Sequence, residues 1–270
     1  MEEATDQVIA LPERKKRGLS SEDARIVRQR GHNDAQEFAF TIGMKDDYRN
    51  DPKAKKDVID PSGDAYSVKS GEKKWQIFLY GEGRFESDDA FKVMNGIGQT
   101  LLNCIRAFPE SFSEYQSNKA AAKERLRPYM IELKTKLQDR TRLRAFLNKS
   151  LFNGGEVNYL TVKDKGVFHV FWGPDVISIL CDSLEVCNSR NTSSVSVAEQ
   201  KVLFRFKGIN LGEIEMRNDS AGHYREIRFN MSKPRIMGLL FGGIKQTDKY
   251  GRNVLIYGNA AKHFGRWKKR

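Results

Sequence analysis

The 270-residue sequence predicts a mixed α/β (α+β) protein: a central mixed sheet flanked by helices, followed by a strand-rich C-terminal half. Three observations predict it. Residues 56–81 hold three short runs rich in β-branched and aromatic residues, with "PSGD" between the first two. Residues 87–149 are charge-rich and read as helices. Residues 156–172 and 201–230 return to strands separated by turns.

The elements follow in order. Residues 1–19 read as a flexible basic arm whose "ERKKR" (13–17) suits phosphates or solvent equally. In "SSED", Ser20 and Asp23 stand three apart and predict a helix start. That helix is expected to break or kink near Gly31 and to resume over 33–44, with a loop at 49–55. "KDVID" (56–60), "AYSVKS" (65–70) and "KKWQIFLYG" (73–81) are expected to form a three-stranded meander. Trp75 and Phe78 read as core residues. "GEG" at 81–83 is a turn rather than a phosphate loop, because no GK[ST] follows. A long helix is expected over 87–108, opened by Ser87 and first-turn acids. "GPDVISILCDSL" reads as a short helix with Pro174 at its first turn, 188–200 as a polar loop, and "KPRIMGLLFGG" (233–243) as a last short helix. No internal repeat appears.

Charge narrows the function. The chain carries 47 Lys plus Arg against 35 Asp plus Glu, a net +12, which points to a polyanionic partner. Hydrophobic content of 39% with 30% charged residues excludes a disordered chain. The three cysteines make neither a disulfide framework nor a metal pattern, which fits a reducing cytoplasm. No apolar run approaches a membrane span, and the acidic N-terminus does not resemble a signal peptide.

The hairpin at 56–70 is where chemistry is expected. If it closes around Ser62, Gly63 and Asp64, then Asp57 lies opposite Lys69, Val58 opposite Val68 and Ile59 opposite Ser67. Side chains alternate along a strand, so Asp57, Ser67 and Lys69 share one face, and Asp60, Tyr66, Val58 and Val68 the other. Asp60 and Asp64 are expected to serve the turn. A carboxylate holds Mg²⁺, a hard cation, and a neighbouring lysine orients water or offsets charge on a phosphate. Glu37 of the preceding helix and the Val68 carbonyl are the further candidate metal ligands, and Gln76 is a candidate for holding a water or a phosphate oxygen. His32, alone beside a helix start, reads as a capping or surface residue. The plain alternative is that Asp57 and Lys69 form a solvated cross-strand ion pair.

A helix with an acid, a hairpin strand with Asp, and the triplet "SVK" (67–69) on the next strand together resemble the PD-(D/E)XK nuclease superfamily over residues 20–108. There are two departures: Lys56 stands where proline precedes the aspartate, and Ser67 where the triplet has an acid. The resemblance implies a restriction-endonuclease-like core, Mg²⁺ as cofactor, and cleavage of double-stranded DNA, with Glu37, Asp57, Ser67, Lys69 and Gln76 in the site. It further implies a catalytic region over 20–149 and a DNA-recognition half over 150–270.

Within that second half, Glu213, Glu215 and Arg217, with Asp175 upstream, imitate an acid-x-basic triplet but carry Arg where Lys is wanted. The same region offers readers of base edges: Arg217, Asn218, Ser220, His223 and Arg225 cluster at one strand–turn–strand, as groove contacts require. Lys201, Arg205 and Lys207 are expected to position the DNA backbone. The expected function is a sequence-specific restriction endonuclease acting as a homodimer through the 87–149 helices, without membrane or small-molecule cofactor. The alternatives are a structure-selective or repair nuclease and a non-catalytic DNA-binding protein.

Overall fold

The computed structural model describes residues 21–44, 48–92, 94–190 and 197–268; the arm expected over 1–19 and the capping residue Ser20 lie outside them. In chain order the elements are α1 (Ser21–Thr41), β1 (Arg49–Asp51), β2 (Lys56–Ile59), β3 (Ala65–Lys69) and β4 (Lys74–Tyr80). A helical stretch follows: α2 (Glu82–Ser87), α3 (Asp89–Lys92), α4 (Ile97–Arg106), α5 (Phe112–Ser117), α6 (Lys119–Gln138) and α7 (Arg140–Phe152). Then come β5 (Tyr159–Asp164), β6 (Val167–Trp172), α8 (Gly173–Ser183), β7 (Glu185–Asn188), β8 (Lys201–Phe206), β9 (Ile209–Arg217) and β10 (Glu226–Ser232). The chain ends with α9 (Lys233–Gly243), β11 (Gln246–Tyr250), β12 (Val254–Tyr257) and α10 (Ala260–His263).

The strands form two sheets, so the molecule is a mixed α/β protein. The first sheet has the order β1-β2-β3-β5-β6-β12-β11; β3–β5 and β6–β12 are parallel pairs and the rest antiparallel. The second, β4-β10-β9-β8-β7, is antiparallel throughout. The meander expected over 56–81 therefore does not form. β4 leaves the hairpin after a four-residue link and pairs with β10, while the first sheet's meander starts with β1, inside the expected loop. Each sheet takes strands from both sides of residue 150, and α7 runs through that position.

One face of the first sheet packs against α1, whose Ala35, Phe38, Ala39 and Ile42 meet Val58, Tyr66, Tyr159 and Phe168 in a small core. The other face contributes Leu160, Val162 and Phe171 to a larger core, completed by the inner face of the second sheet (Ile77, Phe78, Ile214, Phe229) and by α4 and α6–α9. Trp75 and Phe78 are core residues, at 4% and 3% exposure.

Local chemistry explains the departures from the expected elements. α1 runs unbroken through Gly31, which costs about 1 kcal/mol relative to alanine but does not by itself stop a helix. The helix expected over 87–108 is divided, because Asn95 and Gly96 both adopt positive φ (48° and 81°) just before α4. Pro174 opens α8 and Pro234 opens α9, where a missing N–H costs nothing. Among the described residues no helix is long and apolar enough to cross a membrane.

Candidate active site at the junction of the sheets

The site begins with a turn. Asp60 is fully buried, and its Oδ1 accepts from the Ser62 amide (2.8 Å), the Ser62 hydroxyl (2.6 Å) and the Asp64 amide (3.0 Å). Its Oδ2 accepts from the Tyr66 hydroxyl at 3.1 Å. Gly63, at φ 93°, donates its N–H to the Asp60 carbonyl. This carboxylate centres the turn one residue earlier than expected, so Val58 pairs with Tyr66 and Ile59 with Ala65. The expected pairing of Asp57 with Lys69 is thus off by two residues. A shift of two preserves the face of every side chain, so the convergence survives.

Asp57 stands where the β2–β3 ladder ends. Its Oδ2 accepts from the Val68 amide at 2.7 Å, in place of a strand carbonyl, and from the Ser67 hydroxyl at 3.4 Å. Lys69 Nζ lies 3.7 Å from the same oxygen, with both side chains about a quarter exposed. A strand residue presents its N–H and C=O on one edge, so the Val68 carbonyl faces β2 as well. Among the described residues Asp57 Oδ1 accepts no hydrogen bond.

The sequence reading missed the cations around this centre. Lys55, at φ 61° just before β2, donates to the carbonyls of Ile77 (2.8 Å) and Ser150 and so ties the hairpin to β4 and α7. Lys55 and Lys69 line one small cavity with Trp75, Ile77 and Leu160, with room for about one water. Burial, then the charges of Lys69, Lys149 and Arg84, push the Lys55 ammonium down to about 7, against the opposing pull of Asp57. Asp88 holds Lys149 at 2.9 Å and Arg84 at 3.0 Å. Lys69, Lys149 and Arg84, with Lys55 only partly charged near neutral pH, outweigh Asp57 and Asp88 and leave the site electropositive. Nothing in the hairpin itself signals this, since Arg84 arrives from α2 and Lys149 from α7.

Two expected members are elsewhere. Glu37 lies across the sheet: α1 packs on the Val58 face, and Glu37 pairs with Lys163 (2.6 Å), which also holds Asp34 (2.7 Å). Gln76 points to the outer face of the second sheet opposite Asn230, while its neighbours Trp75 and Ile77 reach the Lys69 cavity. Among the described residues no three His, Cys, Asp or Glu side chains gather as a metal cage. What remains is one free carboxylate oxygen beside a backbone carbonyl. That fits Mg²⁺ shared with substrate phosphate and water, not a protein-only cage.

The predicted DNA-reading cations are engaged with acids. Arg217 is held by Asp219 through two bonds (2.9 and 3.1 Å), Arg225 by Glu82 (3.1 Å) and His223 by Glu226 (2.8 Å). Ser220 precedes a short 3₁₀ turn, and Asn218 lies near Tyr115. Lys201 bridges Glu215 (2.5 Å) and Glu213 (3.3 Å), with Lys74 and Arg228 extending the network; the Arg205 Nε is buried without a partner. Glu213 and Glu215 thus belong to a charge ladder. Asp175 caps the start of α10 through Asn259 (2.8 Å) and does not join them. His32 is exposed within α1.

No family model, curated protein or solved structure matches this chain.

Proposed function

We propose that this chain is a Mg²⁺-dependent endodeoxyribonuclease of the PD-(D/E)XK kind, with its working centre at Asp57, Ser67 and Lys69. One observation carries the reading: these three side chains converge where β2 and β3 part, beside an uncommitted carboxylate oxygen in an electropositive recess. The mixed sheet flanked by helices, with the aspartate on one hairpin strand and S-x-K on the next, supports it further.

Asp57 Oδ1 and the Val68 carbonyl are the groups that would hold the ion. When bound, Mg²⁺ supplies neutralisation of the phosphate and an acidified water. Ser67 and the Val68 amide fix the Asp57 carboxylate in one orientation. Lys69 neutralises charge that builds on the phosphate oxygens and orients the attacking water. Lys149 and Arg84 add positive potential that draws in a polyanion.

Within this reading, a cytoplasmic restriction-type enzyme acting as a homodimer on a short duplex sequence is the first form. The second is a nuclease that selects DNA structure, and one observation favours it: Arg217 and Arg225 are already paired with carboxylates rather than free for base edges.

Incubation of purified protein with plasmid and with a branched duplex, in Mg²⁺ or EDTA, tests the proposal. Discrete bands from the plasmid mark the first form, and preferential cutting of the branch marks the second. Asp57→Ala and Lys69→Ala are each expected to lower cleavage by at least about 100-fold while DNA binding persists. Full activity in either variant, or binding with no cutting by the wild type, rejects the proposal.

A further inference from the structure

The outer face of the second sheet holds a cavity of about 330 Å³, enclosed by β9, β10, the start of β4 and the first turn of α9. It is distinct from the recess at Lys69, which opens on the inner side of β4.

Three features of this cavity are unused by the fold. The first is the start of α9, an eleven-residue helix. An α-helix leaves its first N–H groups without intrahelical partners. Here the Lys233 N–H goes to the Lys73 carbonyl (3.1 Å) and Pro234 has none, which leaves the N–H of Arg235, a residue that lines the cavity, without a partner outside the helix among the described residues. Ser232, the residue that would normally cap these donors, makes no side-chain capping bond, so its hydroxyl is free. The second feature is a pair of amides. Asn230 is 8% exposed, lines the cavity and makes no side-chain hydrogen bond among the described residues. The Asn210 Oδ1 is shut from solvent without a donor. Buried amide groups are rarely left unpaired, because the bonds they made to water are lost without replacement. The third feature is charge. Lys73 is exposed and pairs with no acid among the described residues; Lys74 is paired with Glu213 (3.1 Å); and the Arg235 guanidinium reaches only the Asn210 carbonyl. One carboxylate faces three cations.

We infer that this cavity is a phosphate-ester site. The phosphate oxygens accept from Lys73, Arg235, the Ser232 hydroxyl and the start of α9, and Asn230 bonds the adjoining sugar or base. Phosphate esters of this kind occur in a polynucleotide backbone and in free nucleotides. Lys73 follows Lys69 by four residues, so their Cα atoms are at most about 14 Å apart, within reach of one polynucleotide. The inference does not require that the chain cut DNA.

The test is binding in EDTA, where no cleavage intervenes. Fluorescence anisotropy follows a labelled 20-base-pair duplex, with adenosine monophosphate and inorganic phosphate as competitors, for the wild type, Lys73→Glu, Asn230→Ala and Arg235→Ala, with Lys119→Glu as the charge control. If the site takes backbone phosphate, Lys73→Glu and Arg235→Ala each weaken duplex binding about tenfold or more and lower the salt slope, and the monophosphate competes weakly. If it takes a free nucleotide, the monophosphate shifts the Asn230 side-chain amide resonances in the wild type, Asn230→Ala abolishes its binding, and the duplex is indifferent. Either result upholds the site. Unchanged affinity for all three probes in Lys73→Glu and Asn230→Ala overturns it. Lys73→Glu decides if Arg235→Ala fails to fold, since the Lys73 side chain is exposed and unpaired. A nuclease reading that fails shows only in the cleavage assay, and Lys119→Glu, an exposed charge change at the start of α6 outside both sites, is expected to bind the duplex nearly as the wild type does.

Discussion

Asp60 makes no contact with the proposed substrate, yet the hairpin register depends on it. Its carboxylate answers four donors within the turn, the Tyr66 hydroxyl included. Asp60→Ala strands these donors in a buried place and is expected to cost about 3 kcal/mol, measurable by urea denaturation, and to abolish cleavage as the register loosens. Lys55 carries a different signature. Its ammonium is pushed down from the ordinary lysine value to about 7 in the folded protein, so between about pH 7 and 10.5 the unfolded chain binds more protons than the folded one. Stability from this group therefore rises with pH across that window, and its penalty is complete below about pH 7. Melting temperatures of wild type and Lys55→Met across pH 6–10 check the sign: the wild type should gain on the variant as pH rises. A difference that stays flat or falls would contradict it.

At the scale of elements, what could be read in advance depended on how local the cause was. Alternation and turn residues fixed which face of the hairpin carried Asp57, Ser67 and Lys69, and a two-residue error in register left that answer intact. The proline-opened helices α8 and α9 were legible for the same reason. Glu37 and Gln76 failed because their positions depend on distant partners. α1 lies on one side of the sheet because its apolar stripe meets Val58 and Tyr66, and β4 joins β10, which lies some 150 residues downstream. Nothing near "QEFAF" or "KWQIF" records either choice. Helix packing carries a prediction of its own. A Cβ at Gly98 in α4 would overlap the carbonyl oxygen of Phe91 in α3, so Gly98→Ala is expected to cost about 3 kcal/mol by chemical denaturation, despite alanine's better helix propensity.

For the whole molecule, the two sheets are interlaced rather than sequential. β3 pairs with β5, β4 with β10, and α7 passes through the boundary expected at 149–150. A fragment of residues 1–149 lacks the neighbours of both β3 and β4. It is expected to give a poorly dispersed NMR spectrum and no cooperative melt, whereas the full chain melts cooperatively. A folded, DNA-cutting fragment would show instead that the N-terminal part is autonomous. The net charge of +12 is also a property of the whole: residues 1–135 balance and the excess lies in residues 136–270, and on the proposed reading it draws in a polyanion that the local cluster at Lys69, Lys149 and Arg84 meets.

The bond from the Ala65 amide to Asn158 spans 93 residues. During synthesis, a ribosome adding about 5–20 residues per second needs roughly 5–20 s to make the second partner after the first. For that interval the nascent polypeptide carries Asp57, Ser67 and Lys69 on a hairpin that still lacks β5, the neighbour of β3. On the proposed nuclease reading, a partly made chain would be unable to cut, and cleavage would begin only once Asn158 and β5 have been added.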